Sequence, residues 1–310
     1  MKRMFLLILF CTPVLIFANF FDTGKWELVK SDQTRIKYDE ETDQNIVVIE
    51  GNVEIKNGKN TYKADTILFF EKKEEIRLLG NVEVFVNQIK VTALVCEYDM
   101  PKGRAYFYGN VVMQKDDFYL ESPKVWFWVY TNVLEAIDEV YFKDKEYAGL
   151  ATRVRYDDKN KKIQLDGFPY LKLYGTHYIG GDVIDITYDS VDPGFIHSVV
   201  VTGHADFFYK TDDTDLYINS DVLTFSFKAK DTLQQIVAKE NVRYHSITSG
   251  TNTAQNINSD ILTVLFAGNN HIETTTFSTR IGKIRGEKHD NNPQEKNMKI
   301  LPKWNFLKKK

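Results

Sequence analysis

Covalent cross-linking has little to work with in this chain, which carries two cysteines, Cys11 and Cys96. If the N-terminal segment is removed, Cys96 stands alone, which excludes a disulfide-stapled fold while remaining compatible with an oxidising compartment. Charge of one sign is also lacking. Forty Lys and Arg against 43 Asp and Glu give a net charge of -3, so no basic excess points to nucleic acid as a partner. The six histidines, at 177, 197, 204, 245, 271 and 289, are scattered without HxxxH or HExxH spacing, and no metal site is expected. No GxSxG elbow, phosphate-binding glycine loop or distinctive carboxylate pair is present, so neither an enzyme nor a cofactor is expected. The acidic group Asp212, Asp213 and Asp215 lacks the glycine and terminal glutamate of a calcium loop and reads as a solvated hairpin. Beyond residue 21 no run of 18 apolar residues occurs, and nowhere is a 3.6-residue pattern sustained.

The N-terminus has the parts of an export signal. Lys2 and Arg3 precede the apolar stretch from Met4 to Phe17, and Ala18 offers a small residue for cleavage before Asn19. The expected division is a signal peptide at 1–18, a repeat domain at 19–282 and a basic tail without fixed structure at 283–310. An uncleaved segment would instead anchor the chain in the inner membrane.

What fills the middle is repetition. GNVEIK at 51, GNVEVF at 80 and GNVVMQ at 109 are 29 residues apart; the spacing continues to Asp138 and Gly167, then loosens to Gly203 and Glu240. Around each start, positions −4, −2, +2 and +4 are apolar or aromatic. They are Val47, Ile49, Val53 and Ile55; Ile76, Leu78, Val82 and Val84; Ala105, Phe107, Val111 and Met113; and Leu134, Ala136, Val140 and Phe142. The later units give Ile163, Leu165, Pro169 and Leu171; Val199, Val201, Ala205 and Phe207; and Ile236, Ala238, Val242 and Tyr244. Polar residues such as Glu50, Arg77, Gln164 and Lys239 fall between them. Period-two alternation predicts a strand with one buried face, and the central Gly marks a bend or bulge.

A second strand follows in each unit, with a small residue at its middle: Ala64, Ala93, Ser122, Ala151, Gly180, Ser220 and Ser259. Asp65, Asp221 and Asp260 come directly after that residue and suit a recurring turn better than catalysis. The prediction is an all-β stack of about 14 long, bent strands. VWFWVY at 125–130 breaks alternation, predicting either burial on both faces or a lipid-lining side.

GNVEIKNGKNTYKAD, then IRLLGNVEV, then AYFYGNVVM, resembles the OstA-like family of lipopolysaccharide-transport proteins, which includes LptA, LptC and the N-terminal domain of LptD. The resemblance implies an open β-jellyroll or folded-over sheet in the periplasm, whose apolar groove carries acyl chains of lipopolysaccharide or another glycolipid from inner to outer membrane. The groove lining would be the alternating positions above, the alanines, Pro169 and Tyr244 contributing least. It also implies inner- and outer-membrane partners of related fold joined by edge strands, near 35–55 and 255–284, with head-to-tail self-association as a further option. On that basis Pro at Val48 is expected to weaken association. The alternatives are a membrane-anchored LptC-like component, a β-solenoid scaffold that binds no lipid, and an enzyme on a parallel β-helix.

Overall fold

The computed structural model describes residues 26–40, 43–86, 88–144, 147–173, 177–189, 196–210, 214–229, 232–248, 253–267, 271–279 and 285–290. The expected signal peptide, residues 291–310, Asp212 and Asp213 lie outside them. The described residues form an all-β protein. They divide into two compact units, one holding the described residues of 26–144 and 152–164, the other those of 147–151, 165–189 and 196–290.

The first unit contains β1 (Trp26–Lys30), β2 (Gln33–Asp39), β3 (Gln44–Asn57), β4 (Asn60–Phe70), β5 (Glu75–Val86), β6 (Ile89–Asp99), β7 (Arg104–Lys115), β8 (Phe118–Trp128) and β9 (Val133–Lys143). From β3 onward each strand pairs antiparallel with the next. β1 and β2 both pair with β3, on its two halves, and together act as one bent strand. β10 (Tyr147–Asp157) and β11 (Lys162–Asp166) contribute residues to both units.

The second unit adds β12 (Tyr170–Leu173), β13 (His177–Gly180), β14 (Val183–Tyr188), β15 (Ile196–Lys210), β16 (Thr214–Ala229), β17 (Thr232–Thr248), β18 (Thr253–Ala267), β19 (His271–Ser278) and β20 (Arg285–Asp290). The long strands β15 to β18 pair in sequence order. β19 and β20 pair with the two halves of β18. Strand pairing therefore runs past residue 282 into the basic segment.

Twenty strands among the described residues replace the fourteen expected. Four lie outside the seven repeats, as β1, β2, β19 and β20. The fifth repeat supplies the other two, because each of its strands is split. Pro169 follows the bend at Gly167 and Phe168, where the other units have Val or Ala, and it has no N–H for the ladder.

The bend has one backbone form throughout. Two consecutive residues adopt positive φ at 51–52, 80–81, 109–110, 138–139, 167–168, 203–204 and 240–241. In β3, residues 51 and 52 face the single residue Asp65, since Glu50 pairs with Thr66 and Val53 with Ala64. Such a two-against-one bulge bends the strand that carries it. The partner strand has no extra residue, so its inward phase slips by one instead. In β6 Val91 and Ala93 are buried, then Cys96 and Tyr98; in β16 Ile218 and Ser220, then Leu223 and Phe225. The small residue at each slip is buried in every unit.

Candidate functional site

The interior of the bent sheet is built from the alternating positions. Every one of the 28 is buried except Val47, which is half-buried. In the first unit two inward rows cross the strands, because residues paired across antiparallel strands share a face. One runs Val47, Phe69, Ile76, Tyr98, Ala105, Phe127 and Leu134 on the arm before the bulge. The other runs Ile55, Tyr62, Val84, Val91, Met113, Leu120 and Phe142 on the arm after it. Ile76, Leu78, Val84, Val111 and Ala105 have no exposed surface. In the second unit Leu165, Leu171, Val199, Val201, Phe207, Ile236 and Val242 are exposed by 2% or less, and Ile163 of the first unit, also on β11, has no exposed surface.

Along both rows the interior is therefore closed off from water. Val47 differs because it stands near the first edge, where the inward surface meets water. Its neighbour Ile36 on β2 is 71% exposed, and Phe69 on β4 is half-buried.

Few polar groups share this interior. Cys96 is fully buried among the inward side chains, and burial pushes its thiol well above the ordinary range, so it is an inert thiol in the closed state. Tyr98 is pushed up to about 12, chiefly by burial. In the second unit His177 is buried with its ring stacked on Tyr209 at 4.5 Å. Burial lowers it to about 4, against the opposing effect of a backbone hydrogen bond at Leu173.

Outside four of the bends, at Gly51, Gly80, Gly203 and Glu240, an Asp that precedes in the chain holds the bulge, whereas Leu94 lies against Gly109. Asn81 Nδ2 donates to Asp65 Oδ2 at 2.9 Å, and Asn241 Nδ2 to Asp221 Oδ2 at 2.6 Å. Asp32 and Asp182 play this part at Gly51 and Gly203 with their backbone as well. Asp32 N donates to the Glu50 and Gly51 carbonyls, and Asp182 N to those of Thr202 and Gly203. The fourth repeat inverts the charges, with Lys124 Nζ donating to Asp138 at 2.9 Å. These carboxylates are structural staples. Ser122, Ser220 and Ser259 add a hydroxyl donated to the carbonyl two residues on. Asp32 and Asp182 escaped the sequence reading, although Ser31-Asp32 repeats the Ser-Asp dipeptide of 220–221 and 259–260.

Two expectations need correction. VWFWVY alternates after all: Val125, Phe127 and Val129 are buried, while Trp126 and Trp128 are half-buried on the outer face, so the strand is not buried on both faces. Trp126 stacks on Tyr106 at 4.0 Å, with Arg104 over its ring. The aromatic outer set had hidden the alternation. Val48 is also not an edge residue, since it pairs with Arg35 on one side and Leu68 on the other. Among the described residues the first edge is β1 with β2.

No group of three or more His, Cys, Asp or Glu among the described residues is placed to hold a metal ion. No helix of the described residues is long and apolar enough to cross a membrane.

Residues 90–191 match the family model described as LptA/(LptD N-terminal domain) LPS transport protein. Over that stretch the chain is similar to this family. The match bears out the resemblance carried by the hexapeptides, although it begins after the second of them and ends beyond the fifth bend. Among solved structures the chain is similar to LptH, "the LptA homologous periplasmic component of the conserved lipopolysaccharide transport device from Pseudomonas aeruginosa". The identity is 12%, the alignment covers 47% of this chain and 95% of that one, and the TM-score is 0.35. Curated proteins give no match.

Proposed function

We propose that this protein is a non-enzymatic carrier that shields the acyl chains of lipopolysaccharide or a related envelope glycolipid in the interior of its bent sheet, on their way from the inner to the outer membrane. The observation that carries this reading is the constancy of the two inward rows. Seven strands in succession present apolar or aromatic side chains on both arms, so successive positions along the interior are nearly equal in chemistry. A dozen-carbon chain left in water costs on the order of 10 kcal/mol, at about 0.8 kcal/mol per methylene. A uniform lining offsets that cost at every step without trapping the chain at one. Because the interior is closed, loading means parting the arms.

Photo-crosslinkers test this. At Phe107, Val111, Phe142 and Leu165 they are expected to capture glycolipid, while probes at outward Glu50 and Gln164 are not. Equal labelling of both sets, or none, would refute the carrier. Cys96 gives a second readout in a Cys11→Ser chain: its alkylation rate is expected to change when lipopolysaccharide is added, since the arms around it must move. A scaffold that binds no lipid would leave both readouts unaltered. Carriage in the periplasm further requires a processed chain starting at Asn19, which mass measurement of exported protein checks. An intact Met1 in the membrane fraction would favour the anchored, LptC-like role.

A further inference from the structure

The first edge leaves one end of the first unit's interior facing water, and a single side chain lies across that end. Trp26, the first residue of β1, pairs with Asn57 on the arm after the bulge. Its indole is 5.1 Å from the ring of Tyr62 and 6.3 Å from that of Phe69. Tyr62 and Phe69 belong to one strand, β4, but to opposite arms of its bend: Tyr62 pairs with Ile55 and Phe69 with Val47. The indole thus spans the space between the arms. Around it the inward surface is apolar and increasingly open toward the edge. Ile36 is 71% and Leu28 47% exposed, whereas Ile76 and Val84, deeper in, have no exposure.

We propose that Trp26 is a plug at this end of the interior, displaced by an acyl chain as it passes between the arms. The inference rests on the carrier reading and adds to it the port and the residue that closes it. The chemistry suits the role. A single flat indole is held by two ring contacts and by no buried hydrogen bond described for it, so it can swing away without leaving a polar group unpaired. An acyl chain entering beneath it replaces those contacts with equivalent apolar ones. Leu28, Ile36, Val47 and Phe69 then form the first surface that the chain meets.

The test uses the full chain with Trp26 as its one indole, through Trp126→Phe, Trp128→Phe and Trp304→Phe. Dibromostearate, whose bromines quench an indole in contact with them, is expected to quench Trp26 emission on binding. Trp26→Ala is expected to speed release of a fluorescent fatty acid roughly tenfold, the scale of two lost ring contacts, with Trp26→Phe in between. A crosslinker at Val111 reports in parallel whether the chain reaches the interior, and a urea melt confirms that each variant is folded. Capture at Val111 with Trp26 unquenched and release unaltered overturns the plug and leaves the carrier standing. No capture and no quenching overturns both.

Discussion

The Asp65 carboxylate lies against the backbone of Gly80, where a Cβ would collide with it, and accepts a hydrogen bond from Asn81 at 2.9 Å. One side chain thereby fills the space above a glycine with a φ of 71° and ties down the residue after it. Gly80→Ala should destabilise the protein by about 1–3 kcal/mol through left-handed strain and the collision together. Adding Asp65→Gly should recover part of that loss, because only the collision is relieved. Urea melts of the two single variants and the double would show the non-additivity; strict additivity would mean that the contact is not felt.

Buried aromatic volume should dominate stability elsewhere. Phe107 is 2% exposed in the inward face of β7, and Phe107→Ala is expected to cost about 3–5 kcal/mol. Val111→Asp places an unpaired carboxylate in the same wall and should abolish folding or nearly so. Thermal melts decide both. A near-native melt for Val111→Asp would mean that the interior admits water.

Acid should weaken the second unit through His177. Its folded value is about 4 against 6.5 when exposed, so the unfolded chain binds the extra proton. Stability from the neutral imidazole is whole above pH 6.5 and drains away as the pH falls toward 4, by on the order of 3 kcal/mol. His177→Phe keeps the stacking and removes the titration. Subtracting its stability profile from that of the parent should leave a slope confined to that window, whereas parallel profiles would show that His177 contributes none.

Proline at Val48 should now act on folding and not merely on association. Val48 is 7% exposed and its strand is paired on both sides, so Val48→Pro breaks the interior of the ladder. Loss of soluble protein, or a melt lowered by 3 kcal/mol or more, is expected. A stable monomer that had lost only its partners would contradict the register.

Seven bends, the inward set and the all-β class were legible in the sequence because burial of one strand face and positive φ at Gly-Asn are local demands, met within six or eight residues. Even where Gly gives way to Asp138 or Glu240, the flanking alternation located the bend. What the chain order could not supply depends on residues brought together from afar. The staple from Asp65 to Asn81 spans 16 residues and the one from Asp182 to His204 spans 22. The phase slip in the partner strands exists because the neighbouring strand has one residue more. Trp126 and Trp128 read as a break in pattern until Trp126, stacked on Tyr106 and on Trp128, was seen to lie on the outer face. The half-exposure of Val47 and the position of Trp26 between two arms follow from where the sheet ends. Period and bend are properties of one strand, which the sequence determines; which arm meets which, and what closes the space between them, arises only when strands are laid side by side.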